Sequence, residues 1–158
     1  MNPISPDRFE DGPAMLMAGL RRKHVFASIG NGIAEQWKEF NATQDLPGRT
    51  GNATYGIICG SSADGFEYMC ATEVSSFDAV PPELGRVRIP AQHYAIFTHH
   101  GHASLIGETW SSVLAWLARS DWQSAENPDF ERYGAEYDRA KECGGTEIRI
   151  GVIPKSRG

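Results

Sequence analysis

Gln92-His93-Tyr94-Ala95-Ile96-Phe97-Thr98-His99-His100-Gly101, followed by an aromatic helical stretch and then by Pro128-Asp129-Phe130-Glu131-Arg132-Tyr133, decides how this chain folds. The first run is dense in apolar and β-prone residues and stops at a glycine, so Gln92 to Thr98 reads as a strand. From about Ser104 to Arg119 the spacing changes: Ile106, Trp110, Val113 and Leu117 recur on one face of a helix. An extended piece around Phe130 to Tyr133 and a strand at Glu147 to Ile153, ended by Pro154, complete the order strand, helix, strand, strand.

The same order can be read in the first half. Ala14 to Leu20 is a compact apolar run that suits a buried strand, and residues 1–12 before it read as a flexible tail. Ile29, Ile33, Trp37 and Phe40 then recur at helical spacing, with Glu35, Lys38 and Glu39 between them, predicting an amphipathic helix over Asn31 to Asn41. Pro47, Gly48 and Gly51 break it. Thr54 to Cys59 and Phe66 to Val74 flank the loop Gly60 to Gly65 and read as a hairpin. Asp78 to Gly85, with Pro81-Pro82, reads as a linker. The whole, residues 1–158, is expected to be a single domain with halves at about 13–77 and 86–154. The duplication rests on the order of elements and not on a residue-level repeat.

Charge narrows the function. The formal net charge is −5 and the isoelectric point about 5.5, so no general attraction to phosphate is expected. The basic run Arg21-Arg22-Lys23-His24 is too short to reverse this, and direct nucleic-acid binding is not expected. No apolar stretch approaches the ~20 residues that span a bilayer, and the first residues lack the regions of a signal peptide, which predicts a cytoplasmic protein with no membrane partner. Cys59, Cys70 and Cys143 are odd in number and share no metal-type spacing, so all three read as free thiols.

One carboxylate, Glu131, stands among many aromatic residues. A carboxylate drawn into an apolar cavity needs a partner, and an organic cation held against ring faces supplies one, each face adding about 0.5–2 kcal/mol. The competing reading is a solvated side chain paired with Arg132 or Arg139. His99, His100 and His102 are close enough to suggest metal ligation, but a strand end does not make them a closed site, and neither metal nor cofactor is expected. Glu67 reads as solvated, and Glu73 carries no role that can be assigned.

Taken in order and spacing, Tyr55-Gly56-Ile57-Ile58, Phe66 and Tyr68 with Glu73-Val74, Tyr94-Ala95-Ile96-Phe97 with His99 and Gly101, Trp116-Leu117, Pro128 with Phe130-Glu131 and Tyr133, and the closing Glu147 to Pro154 run resemble the GyrI-like effector-binding domain. That family includes the ligand-sensing domains of AraC-type and MerR-type multidrug regulators and the stand-alone DNA gyrase inhibitory proteins. The resemblance runs from Met15 to Pro154. It implies an α+β fold: duplicated strand-helix-strand-strand modules, a curved antiparallel sheet, two main helices and a central ligand groove. It carries Glu131 over as the acidic residue of that groove and Tyr133 as its neighbour. His99 and Gly101 become a strand-to-helix corner. Tyr68, whose face strand alternation leaves open, is a further candidate. Trp110 and Trp37 are added because their helical faces should look onto the sheet, although a tryptophan at such spacing is as often simply core.

The resemblance implies a stand-alone effector-binding domain for bulky hydrophobic, cationic small molecules, serving drug sensing or sequestration. No helix-turn-helix is visible, so regulation of transcription would need either a longer chain of which this is a fragment or a separate DNA-binding partner. One alternative is a hydrolase of cyclopropanoid or other electrophilic toxins, with Glu131 orienting or deprotonating a water and Tyr133 donating to the developing oxyanion. Another is an inhibitory protein that contacts DNA gyrase.

Overall fold

The computed structural model describes residues 3–43 and 46–156. In chain order the elements are β1 (Arg8–Gly12), β2 (Met15–Val25), α1 (Gly32–Asn41), β3 (Thr54–Ser62), β4 (Gly65–Val74), β5 (Gly85–Ile89), β6 (Gln92–His99), α2 (Ile106–Arg119), β7 (Trp122–Ser124), β8 (Asp129–Tyr133) and β9 (Thr146–Pro154), with short 3-10 turns at Phe26–Ser28 and Ala103–Leu105. The strands pair antiparallel and carry two helices, an α+β fold. No helix of the described residues is long and apolar enough to cross a membrane.

The chain divides into two compact units, one of Ala14–Pro90 and one of Met1–Pro13 with Ala91–Gly158. In the first, β4 lies between β3 and β2, and β2 pairs in turn with β5. The middle of β4, Tyr68 to Thr72, is buried residue after residue, as a strand covered on both faces requires. Helix α1 turns Gln36 and Phe40 inward, and Phe40 packs with Tyr68 and Cys70, flanked by half-buried Ile33 and Trp37. At Cys59 the β3–β4 register slips between Ile58 and Gly60, a bulge that inserts one residue. Gly19 is required here by crowding: a Cβ on it would stand 1.9 Å from the Cys70 carbonyl oxygen.

In the second unit β6 lies between β1 and β9, and β9 pairs with β8 along one stretch and with β7 further on. Tyr94 to Phe97 are all buried. Helix α2 lays Val113 and Trp116 onto Ala95, Phe97, Ile148, Ile150 and Val152, with Ile106, Trp110 and Leu117 half-buried around them. The predicted apolar face is therefore correct but too narrow, because Trp116 sits deeper than Trp110.

Several expectations are corrected. Arg8–Gly12 is not a flexible tail: it pairs residue for residue with β6. Its side chains are almost all exposed and no apolar pattern marks it. The backbone ladder to β6 is joined by surface contacts such as Arg8 with Glu147 and the Phe9 ring stacked on His93; residues 1–2 of the expected tail lie outside the described residues. The hairpin loop is shorter than Gly60 to Gly65, since both strands continue to a two-residue turn at Ala63-Asp64. After the linker the chain forms β5, which pairs with β2 and which the sequence reading did not include, before β6 begins at Gln92.

Candidate functional site

Glu131 lies in the middle of β8, opposite Ile148 of β9, and is 4% exposed. Strand alternation sends Tyr133 to the same face, and the Tyr133 hydroxyl donates to Glu131 Oε1 over 2.8 Å. The other oxygen, Oε2, accepts from the Trp110 indole Nε1 over 2.8 Å. Helix α2 aims Trp110 at the sheet from its second turn, which is why a side chain 21 positions earlier meets Glu131. A carboxylate buried to this extent is costly unless hydrogen-bonded. Here both oxygens are held by aromatic donors, and the reading of Glu131 as a solvated surface carboxylate is overturned by its burial.

The predicted site residues thus group by unit. Glu131, Tyr133 and Trp110 meet in the second. In the first, Trp37 Nε1 donates to the Tyr68 hydroxyl over 3.0 Å, their rings 6.4 Å apart and near perpendicular. Tyr68 lies on the face of β4 that α1 covers and is 1% exposed. Phe66, Phe40 and His24 complete that aromatic group.

Sequence reasoning missed the polar contact beneath α1. His24 Nε2 lies 2.6 Å from Gln36 Oε1, while the Gln36 amide donates to the carbonyls of Leu20 and Tyr68 over 2.8 and 2.9 Å. Because the amide nitrogen is committed to two carbonyls, Gln36 Oε1 accepts and His24 carries its proton on Nε2. The signal available was a glutamine on the inward stripe of an amphipathic helix. Tyr137 was missed as well: its ring meets Tyr133 edge to face at 4.9 Å.

The histidines have structural duties. His99 is 3% exposed; its Nε2 donates to the His102 carbonyl over 2.9 Å and its Nδ1 lies 2.7 Å from the Thr109 hydroxyl, tying the end of β6 to α2. Gly101 turns that corner with φ +105°, a conformation other residues avoid. Among the described residues no group of three or more His, Cys, Asp or Glu side chains is placed to hold a metal ion.

Two further carboxyls of this unit differ in sign. Burial pushes Asp129 up to about 6, although the Gly151 amide donates to its Oδ1 over 2.9 Å. Glu147 is also raised by burial, but hydrogen bonds and charge from Arg149 and Arg8 outweigh this and hold it below the usual range.

Comparison with known proteins adds three relatives. The chain is 29% identical over 133 residues to the transcriptional regulator BrlR of Pseudomonas aeruginosa, covering 82% of this chain but 48% of that protein, so it spans about half the length of this relative. Its fold is similar to that of SAV2435 bound to tetraphenylphosphonium, with a TM-score of 0.72, 18% identity and coverage of 92% and 93% of the two chains. It is also similar to EcmrR in a DNA complex, with a TM-score of 0.66, 15% identity and coverage of 94% of this chain and 57% of that one. The family model described as the GyrI-like small molecule binding domain matches residues 7–153, nearly the whole length. The chain therefore belongs to the GyrI-like small molecule binding domain family.

Proposed function

We propose that this chain binds bulky hydrophobic cations at Glu131, with Trp110 and Tyr133 positioning the carboxylate and lending ring surface to the ligand. The observation that carries this reading is the burial of Glu131 with each oxygen held by an aromatic donor at 2.8 Å. Such a carboxylate is fixed in direction before a ligand arrives, which spares the ligand the entropy of ordering it. An organic cation loses less hydration on entering an apolar site than a small ion does, and ring faces offset part of that loss. The tetraphenylphosphonium bound by SAV2435 is a ligand of this chemistry on the same fold.

The function that follows is sensing or sequestration of such compounds. The relatives BrlR and EcmrR, a transcriptional regulator and a protein seen bound to DNA, support a role in which ligand occupancy is read out as transcription by a DNA-binding partner or segment. The acidic charge of this chain, −5, favours that division of labour over direct contact with phosphate.

The test is calorimetric titration with tetraphenylphosphonium and with neutral triphenylphosphine oxide, on the native chain and on Glu131→Gln. The expected result is micromolar binding of the cation that falls at least tenfold in Glu131→Gln, with the neutral compound little changed. Equal loss for both compounds would remove the charge from the argument.

A further inference from the structure

Twelve residues, 134–145, join β8 to β9, and they are built as a strap rather than an open loop. The Tyr137 amide donates back to the Gly134 carbonyl over 3.1 Å. Asp138 and Cys143 then exchange backbone hydrogen bonds of 2.9 and 3.4 Å, and Asp138 Oδ1 accepts from the amides of Ala140 and Lys141. At its far end the strap is fastened to the segment leading into α2. The Ala103 amide donates to the Glu142 carbonyl over 2.8 Å, and His102 Nε2 lies 2.9 Å from Glu142 Oε2. His102 Nδ1 accepts from the Ser104 amide over 3.1 Å, which leaves Nε2 as the nitrogen that donates to Glu142. Gly144, with φ +108°, closes the strap so tightly that a Cβ there would stand 2.7 Å from the Glu136 carbonyl oxygen.

This construction holds Tyr137 against Tyr133, ring centroids 4.9 Å apart and planes at 72°. Exposure rises along the sequence of contacts: Glu131 and Tyr133 are buried, at 4% and 8%, while Tyr137 is half-buried, as is Trp110 on the other side of the carboxylate. Burial pushes the Tyr137 hydroxyl above its ordinary range, with Glu142 and Cys143 adding to the effect, so this ring is already partly withdrawn from water. Glu131 thus has a half-buried ring in sequence on either side, Trp110 of α2 bonded to it directly and Tyr137 of the strap one ring removed, behind Tyr133.

We infer that Tyr137 is a ligand-selecting residue of the Glu131 site, its strap-held ring being the outer aromatic wall that large ring-bearing cations contact and small cations do not. The inference rests on the reading of Glu131 as the cation's partner. Its chemistry is specific: a ring face attracts a cation and packs against the ligand's own rings, so the contribution of Tyr137 grows with the aromatic area of the ligand. The hydroxyl is not needed for this, so phenylalanine should serve and alanine should not.

The experiment measures Kd by calorimetry for tetraphenylphosphonium and for tetramethylammonium in the native chain, Tyr137→Ala, Tyr137→Phe and Glu131→Gln, with circular dichroism confirming that each variant is folded. The expected result for Tyr137→Ala is a loss of about three- to thirtyfold for tetraphenylphosphonium, the value of one ring face, with no change for tetramethylammonium. Tyr137→Phe should stay within about twofold of native. If tetraphenylphosphonium binding depends on Glu131 but is the same in Tyr137→Ala, or if both cations weaken equally, Tyr137 is not the selecting wall while the Glu131 reading stands. If tetraphenylphosphonium does not bind the native chain, the Glu131 reading falls and the role of Tyr137 falls with it.

Discussion

Tyr133 and Glu131 stand two residues apart on one face of β8, and the Tyr133 hydroxyl donates to Glu131 Oε1 over 2.8 Å. Because a strand repeats every two residues, this contact is local and would be available to any extended Glu-x-Tyr. The Trp110 contact is different: it exists only when α2 is docked on the sheet. One oxygen of the carboxylate is therefore held by the strand itself, and the other reports on tertiary packing.

Removing the tertiary donor should be the more disruptive change. Trp110→Phe keeps an aromatic ring but takes the indole donor from a buried carboxylate oxygen, and should destabilise the protein by about 1–3 kcal/mol. Urea denaturation of the two proteins measures this; equal midpoints would mean that the contact carries no net stability.

Gln36 should be sensitive to a substitution of similar size. Gln36→Leu leaves the carbonyls of Leu20 and Tyr68 without their amide donor and the His24 Nε2 proton without its acceptor. A destabilisation of about 2–4 kcal/mol is expected, since several buried polar groups lose partners at once. Thermal unfolding of Gln36→Leu beside an exposed control such as Glu35→Leu separates this from a general loss of helix stability.

Asp129 gives stability a pH dependence whose sign can be worked out. Its folded value lies at about 6, above the ordinary 3.8, so between these values the folded protein holds a proton that the unfolded chain has released. Stability from this group is present at low pH and declines as pH rises through that window, by about 1–3 kcal/mol. Asp129→Asn keeps an oxygen for the Gly151 amide and should flatten the decline and raise stability at pH 7. Chemical denaturation of both proteins at pH 4, 5, 6 and 7 reads it; parallel curves would show that Asp129 does not titrate there.

Glu147 should act in the opposite direction. Arg149 and Arg8 hold its carboxyl below 4.5, so the stability it contributes is complete above that value and is lost as pH falls further. In Glu147→Gln the acid limb of the stability profile should move toward lower pH, while stability at pH 7 drops by about 1 kcal/mol or more as Arg149 and Arg8 lose their partner. Acid denaturation monitored by tryptophan fluorescence checks both.

Gly19 tests the backbone. Gly19→Ala would drive a methyl group to 1.9 Å from the Cys70 carbonyl oxygen and force β2 away from β4. A loss of about 3 kcal/mol or more is expected, large enough to be visible as reduced soluble yield as well as a lowered Tm. A near-native Tm would mean that the two strands can separate locally at little cost.

Much of the fold was readable because the elements that form the core have clean periods. Ile106, Trp110, Val113 and Leu117 announced α2, and Glu131 and Tyr133, named by the family resemblance, do fall on one face of β8. What escaped is equally specific. β1 has no buried side chain and pairs through its backbone, so periodicity could not reveal it. The run Arg21-Arg22-Lys23-His24 looked like a single charged patch, yet strand geometry sends its members to different faces and buries His24 at 7% exposure against Gln36. The depth of Glu131 was not legible either, because burial depends on α2 docking on the sheet, a relationship between distant segments. Tyr137 was hidden by a polar, glycine-containing stretch whose order comes from backbone hydrogen bonds rather than from apolar pattern.

The pairing of β1 with β6 means that the unit holding Glu131 gathers both extremities of the chain, Arg8–Gly12 from one and Thr146–Pro154 from the other, on the two edges of β6. This makes the unit a natural point of mechanical attachment. A segment joined ahead of β1 or behind β9 would pull on a strand directly hydrogen-bonded to β6, and a shift in either edge would reach the carboxylate through β9 and β8 without passing through the unit of Ala14–Pro90.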